Sequence, residues 1–305
     1  MFLSQVKNFE RTQFWRYLVG SLIVILASSI GQVLLFFGWW FKLDTLDSMK
    51  TMTHTELMHI LDPNTTLVLI MTTFLFALIA LYFVVTKYHK QPFKTLITSR
   101  NKVDWKRIFF SFSVYSFYVL FAVYVSYQNT PENYIWNFDL LPFLGLFLIG
   151  IVMFPIQIGV EELVFRGYLM QAFAKLGSSR LFALVMTTLV FAGLHVTNPE
   201  VGKIGYIAMF YYVLSALFLG ILTLLDEGLE LALGFHFANN FMTALLVTSE
   251  WTALQTNSVL KDISEEPDMG VYMLLPTLIV YPILLLIFAK KYKWNDWKGR
   301  IFGKL

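Results

Sequence analysis

Residues 154–170 read FPIQIGVEELVFRGYLM. Glu161 and Glu162 stand side by side in this otherwise apolar run, and Arg166 follows one turn later. A charged side chain at the centre of a membrane span costs about 2.5–3.5 kcal/mol on insertion scales. Two adjacent carboxylates at such a place point to a helix that uses them, in a bundle that shields them.

The rest of the chain agrees with that reading. Of 305 residues, 57% are hydrophobic and 14% charged, against about 25% charged in soluble domains. Too little polarity remains for a water-facing surface. The aromatic share of 17%, with 30 Phe, suits lipid-facing helices with Tyr and Trp at the interfaces. The absence of cysteine excludes disulfides, thiol nucleophiles and Cys-ligated metals. The apolar run Tyr17 to Trp40 is too long for the core of a cleavable signal peptide and reads as a first span. No P-loop or G-x-S-x-G nucleophile elbow is present.

The expected fold is all-α, a polytopic bundle. A bilayer core needs about 20 apolar residues per helix. Eight stretches qualify: 15–40, 65–86, 108–128, 141–174, 180–197, 205–225, 229–248 and 270–290. The sixth and seventh are separated only by Asp226, Glu227 and Gly228. With the N-terminus inside, 19 Lys and Arg fall on the cytoplasmic side and 4 outside, as the positive-inside rule requires. Both termini are then cytoplasmic. Three regions follow: 1–140 with three spans and a basic loop, a core at 141–248, and 249–305 with a last span and a basic tail. The basic segment Phe93 to Trp105 reads either as an interfacial helix or as a solvated topological anchor.

The polar residues of the core gather on three spans. Gly177-Ser178-Ser179 reads as a helix stop followed by an N-cap. Glu161 lies 17 residues before Ser178 and His195 lies 17 after it. At about 1.5 Å per residue both sit about 25 Å from the turn, so an antiparallel hairpin places them at one depth. Glu162 and Arg166 are spaced i, i+4 for an ion pair. Glu161 points about 100° away and is left without a local cation, free for proton chemistry. Phe191 and His195 share a face, as do His236 and Asn240. Glu161 and His195 could activate a water, with His236 and Asn240 donating to an oxyanion. A metal reading uses the same groups: Glu161, His195 and His236 could hold zinc, with water as fourth ligand. Three histidines elsewhere are set aside. His54 and His59 flank Glu56 with a spacing that breaks the H-E-x-x-H geometry, and His89 reads as solvated in a basic loop.

Glu161-Glu162-x-x-x-Arg166, Phe191-x-x-x-His195 and His236-x-x-x-Asn240, in this order on separate spans, resemble the three signature motifs of the CAAX protease and bacteriocin-processing (CPBP, Abi-type) intramembrane proteases. The resemblance covers about residues 141–248, and every named position holds the motif residue. It implies an intramembrane endopeptidase. Glu161 and His195 would activate the attacking water, and His236 and Asn240 would stabilise the oxyanion. Glu162, Arg166 and Phe191 would hold the site in shape. The family carries both a metalloprotease label and a metal-free glutamate mechanism, and both stand at this point. Eukaryotic relatives cut prenylated C-terminal tails; bacterial ones are associated with peptide maturation and bacteriocin self-immunity. The expected partners are a peptide or membrane-protein substrate and the lipid bilayer, with no nucleic acid, and the expected location is a bacterial inner membrane. Two other classes fit intramembrane Glu and His: a proton-coupled carrier, and a non-catalytic immunity or scaffold protein.

Overall fold

The computed structural model describes residues 1–43, 46–264, 274 and 276–305. It is a helical membrane bundle. Its main helices are α1 (Phe14–Trp40), α2 (Pro63–Phe83), α3 (Trp105–Asn129), α4 (Leu140–Glu162), α5 (Met170–Gly177), α6 (Arg180–Leu194), α7 (Ile207–Asp226), α8 (Glu230–Leu246) and α9 (Tyr281–Tyr292). π-helical turns extend α2 over Val84–Tyr88, join α4 to α5 over Leu163–Leu169, and precede α9 over Pro276–Val280. Among the described residues five helical stretches are long and apolar enough to cross a membrane: Phe14–Trp40, Pro63–Tyr88, Trp105–Asn129, Leu140–Gly177 and Ile207–Asp226. The helices at the fifth and seventh expected spans are shorter, with 15 and 17 residues. The fifth stops at Leu194 rather than at residue 197. Of the last expected span, residues 270–273 and 275 lie outside the described residues.

Local chemistry sets the helix ends. α2 begins at Asp62, whose carboxylate accepts from the backbone N–H groups of Asn64 and Thr65, both at 3.1 Å, with Pro63 in the first turn. α5 ends at Gly177; Ser178 takes a left-handed conformation with φ 48°, and the Ser179 hydroxyl caps α6 by accepting from the Phe182 N–H at 3.2 Å. The hairpin turn thus forms where the Gly-Ser-Ser triplet places it. α4 runs through Pro155 without stopping.

α1 packs on α2, α2 on α4, α4 on α8 and α8 on α3, while α6 packs against both α5 and α7. Two glycines allow backbones to touch, as small residues do in membrane helix pairs. A side chain at Gly31 would collide with the Thr73 backbone of α2, and one at Gly234 with the Ile108 backbone of α3. The outer face of α1 leaves Leu18, Leu22, Ile25 and Leu26 exposed, as a lipid-facing surface does.

At one end of the bundle, three strands of three residues form a small sheet in the order β1-β3-β2. β1 (Tyr134–Trp136) runs antiparallel to β3 (Leu260–Asp262), pairing Ile135 with Lys261, and β2 (Val247–Ser249) runs parallel to it, pairing Thr248 with Lys261. At the other end an ionic knot fixes the boundary between α7 and α8. Arg100 reaches Asp226 at 3.1 Å and Glu230 at 3.0 Å, Arg107 also pairs with Asp226, and Trp294 donates to Asp226 at 3.0 Å. α7 ends at Asp226, and Glu227 turns the chain with φ 58°.

Three expectations change. Phe93–Trp105 contains a 3-10 turn, Phe93–Leu96, rather than a helix along its length, and Thr95, Leu96 and Thr98 are buried; Gln171 of α5 donates to the Thr95 carbonyl at 3.1 Å and ties the segment to the bundle. His89 is buried, because its ring bridges the Arg11 carbonyl at 2.6 Å and the Tyr168 hydroxyl at 2.8 Å and packs on Tyr17. Arg166, counted among the cytoplasmic cations, is buried inside the bundle.

Candidate active site

α4, α6, α7 and α8 converge on the two glutamates. Glu162, at the last residue of α4, is fully buried, and Arg166 on the following π-helical turn donates to its Oε1 at 3.1 Å. Single π-turns inside helices recur at functional sites. The same guanidinium donates to the Ala216 carbonyl of α7 at 3.2 Å and lies over the Phe191 ring of α6, 4.4 Å from its centroid. Arg166 thus ties three helices together while it neutralises Glu162. The second oxygen of Glu162 is buried without a hydrogen-bond partner among the described residues.

His236 sits between the two carboxylates. Its Nδ1 is 2.8 Å from Glu162 Oε1, and its Nε2 is 3.4 Å from Glu161 Oε2. A carboxylate only accepts, so Nδ1 is the donor to Glu162. Glu161 is therefore not without a basic neighbour, as its place on α4 alone suggests. Its side chain keeps 16% exposure, against 0% for Glu162.

A residue outside the three motifs completes the surroundings of Glu161. Gln157, one turn earlier on α4 and buried, donates through Nε2 to Glu161 Oε1 at 3.4 Å. Its Oε1 accepts from Asn240 Nδ2 at 3.4 Å; Asn240 Oδ1 accepts from Asn239 Nδ2 at 3.0 Å; Asn239 Oδ1 accepts from the Tyr115 hydroxyl at 3.5 Å. A carboxylate only accepts, so Glu161 fixes the orientation of Gln157, and through it the orientation of each amide along the line. Gln157 shows the same i, i+4 relation to Glu161 that drew attention to Arg166, and it is polar within an apolar span; that is the signal by which sequence reading could have found it.

His195 follows the last residue of α6. Its Nδ1 bonds the Phe191 carbonyl at 2.8 Å, and its ring stacks on Phe191 at 4.5 Å and on Tyr212 of α7 at 4.4 Å. A carbonyl accepts only, so Nδ1 carries a hydrogen and donates to it. Tyr212 lies within Coulombic reach of Glu161 and receives a hydrogen bond from Asn198 at 3.0 Å. Nothing in the sequence separates Tyr212 from the other 14 of the 15 tyrosines. The structure thus brings Glu161, Glu162, Arg166 and His236 together, joins Asn240 to them through Gln157, and places Phe191 under Arg166. Among the described residues no hydrogen bond links His195 directly to Glu161. No group of three or more His, Asp or Glu among the described residues is arranged to hold a metal ion; Glu161, His195 and His236 do not close into a zinc ligand set in this geometry.

Residues 139–242 match the family model described as type II CAAX prenyl endopeptidase Rce1-like. A curated relative, the uncharacterized protein YyaK of Bacillus subtilis (strain 168), is 29% identical over 237 residues, covering 77% of this chain and 79% of that protein. No solved structure matches the chain.

Proposed function

We propose that this chain, whose residues 139–242 belong to the CAAX protease and bacteriocin-processing family, hydrolyses a peptide bond at or near the membrane with Glu161 as its general base. The observation that carries the reading is the asymmetry of the glutamate pair. Glu162 is buried and neutralised by Arg166, whereas Glu161 is partly exposed and faces a histidine nitrogen at 3.4 Å. A base must reach the proton that it takes, and its partners must hold it in place.

In this reading a water lies between Glu161 and the Nε2 of His195. Glu161 takes its proton as the oxygen attacks the scissile carbonyl. The carbonyl oxygen gains the negative charge and is met by the Asn240 Nδ2 hydrogen that Gln157 leaves free and by His236 through Nε2–H, which Glu161 releases as it takes the proton. Collapse of the tetrahedral species breaks the C–N bond, and the proton held by Glu161 passes to the leaving amine. No step runs through a metal. The matching family model is described as a CAAX prenyl endopeptidase, so a peptide tail anchored at the membrane is the first substrate class to test. With the buried Arg166 left out, an 18-to-4 split of basic residues still supports eight spans with both termini in the cytoplasm, and a relative from a bacterium supports a bacterial source, whose plasma membrane is the proposed location.

The test compares protein termini and released peptides, by mass spectrometry, in membranes carrying the wild-type protein or Glu161→Ala. Termini that appear only with Glu161 are the expected result. Identical termini, with both proteins present in equal amount, would overturn the reading in favour of a carrier or a scaffold.

A further inference from the structure

We infer that Gln157 is a positioning residue that holds the Glu161 carboxylate in its working orientation; this rests on the reading of Glu161 as the base. Glu161 is partly exposed on a helix face, and nothing covalent fixes the rotation of its carboxylate. Two contacts do so here. His236 Nε2 faces Oε2 at 3.4 Å, and Gln157 Nε2 donates to Oε1 at 3.4 Å. With one oxygen assigned to each partner, the plane of the carboxylate is set.

The amide at 157 has the chemistry for this task. It must donate to an acceptor-only carboxylate while accepting from Asn240 at 3.4 Å. Glutamate would accept but not donate when ionised; methionine would fill the space and do neither. Buried polar groups in apolar surroundings cost several kcal/mol unless paired, and the flanking residues Phe154, Pro155, Ile156 and Ile158 supply no such need. Asn240 is itself held by Asn239 and, beyond it, Tyr115 of α3. The orientation of Glu161 is thereby referred to two helices besides its own.

A simpler role for Gln157 is adhesion of α4 to α8 through Asn240, as polar side chains do between membrane helices. Two substitutions separate the roles. Gln157→Glu keeps an acceptor for Asn240 and loses the donor to Glu161; Gln157→Met loses both. In membranes of cells making each full-length variant, two quantities are read: the rate at which Glu161-dependent termini appear, and the amount of the same uncleaved peptides that co-purify with the protein. The expected result for both variants is cleavage slowed about ten- to hundredfold, the effect of misplacing a catalytic group by about an ångström. Co-purified uncleaved substrate should stay at the level of Glu161→Ala. Cleavage by Gln157→Glu at the wild-type rate would overturn the inference in favour of adhesion, and so would a loss of substrate capture equal to the loss of rate. If Gln157→Met fails to accumulate, Gln157→Glu alone decides. If Glu161→Ala leaves the termini unchanged, the reading of the base fails and this inference falls with it; if Glu161→Ala abolishes them while both Gln157 variants cleave normally, only this inference falls.

Discussion

Replacing Arg166 by methionine should unfold the bundle at a markedly lower temperature, and a second substitution should restore much of the loss. The side chains of Arg166 and Glu162 are 1% and 0% exposed. Removing one partner of a buried pair costs about 3–5 kcal/mol, because the other charge stays behind without compensation. Here Glu162 would keep only His236, since its second oxygen has no partner to begin with. The lost cation–π contact with Phe191 and the freed Ala216 carbonyl lie within that range rather than beyond it, so about 4 kcal/mol is expected in total. For a chain of this size about 2 °C accompanies each kcal/mol, which gives a fall of about 8 °C. The assay is thermal unfolding of the purified protein in detergent, followed by tryptophan fluorescence. Glu162→Gln combined with Arg166→Met removes both charges and should recover about half of the loss, because replacing a whole buried pair by groups of similar volume is close to neutral. A fall of less than about 2 °C for Arg166→Met, or a double variant less stable than the single one, would refute the view that Arg166 serves chiefly to neutralise Glu162.

Gly234→Ala places a methyl group against the Ile108 carbonyl and 3.0 Å from the Phe112 N–H; overpacking costs about 1–3 kcal/mol and moves α8 where it carries His236. Both thermal stability and Glu161-dependent cleavage should drop, and unchanged cleavage would show that the α3–α8 contact does not set the site. Asp62→Ala removes the cap of α2 and should cost about 1 kcal/mol near neutral pH. A hydrogen bond from the Thr65 side chain, followed by the capping N–H groups of Thr65 and Asn64, holds the Asp62 carboxyl below its ordinary value. Its contribution is therefore present above the ordinary aspartate pKa and is lost as pH falls through the lowered one. The two proteins should approach equal stability in strongly acidic buffer, as unfolding at a series of pH values will show.

How much could be read beforehand follows the range of the interactions. The Gly177–Ser179 turn, the Glu162–Arg166 spacing and the shared face of His236 and Asn240 are local, set by a helical period of 3.6 residues. The partner of Glu161 is not local. Hairpin spacing relates α4 to α6 and says nothing of α8, whose depth depends on where α7 turns; that turn is set by the ionic knot of Arg100, Arg107, Asp226 and Glu230. The place of His236 beside Glu161 is therefore not legible in the spacing of the hairpin. The burial of His89 depends likewise on Arg11 and Tyr168, which are distant in sequence. The small sheet escapes notice because three-residue strands are too short to show an alternation.

The direction of the hydrogen bonds bears on the role proposed for Glu161. From one side Arg166 donates to Glu162; from the other Tyr115, Asn239, Asn240 and Gln157 donate in turn until the line reaches Glu161. Both series end on carboxylates, and His236 stands between them. Reversing any amide would set two acceptors or two donors face to face, which is costly in an apolar bundle. The amides are thus held still. In the reading proposed above, proton transfer falls to the partly exposed Glu161 carboxylate, which stands at the end of this line with the His236 imidazole beside it.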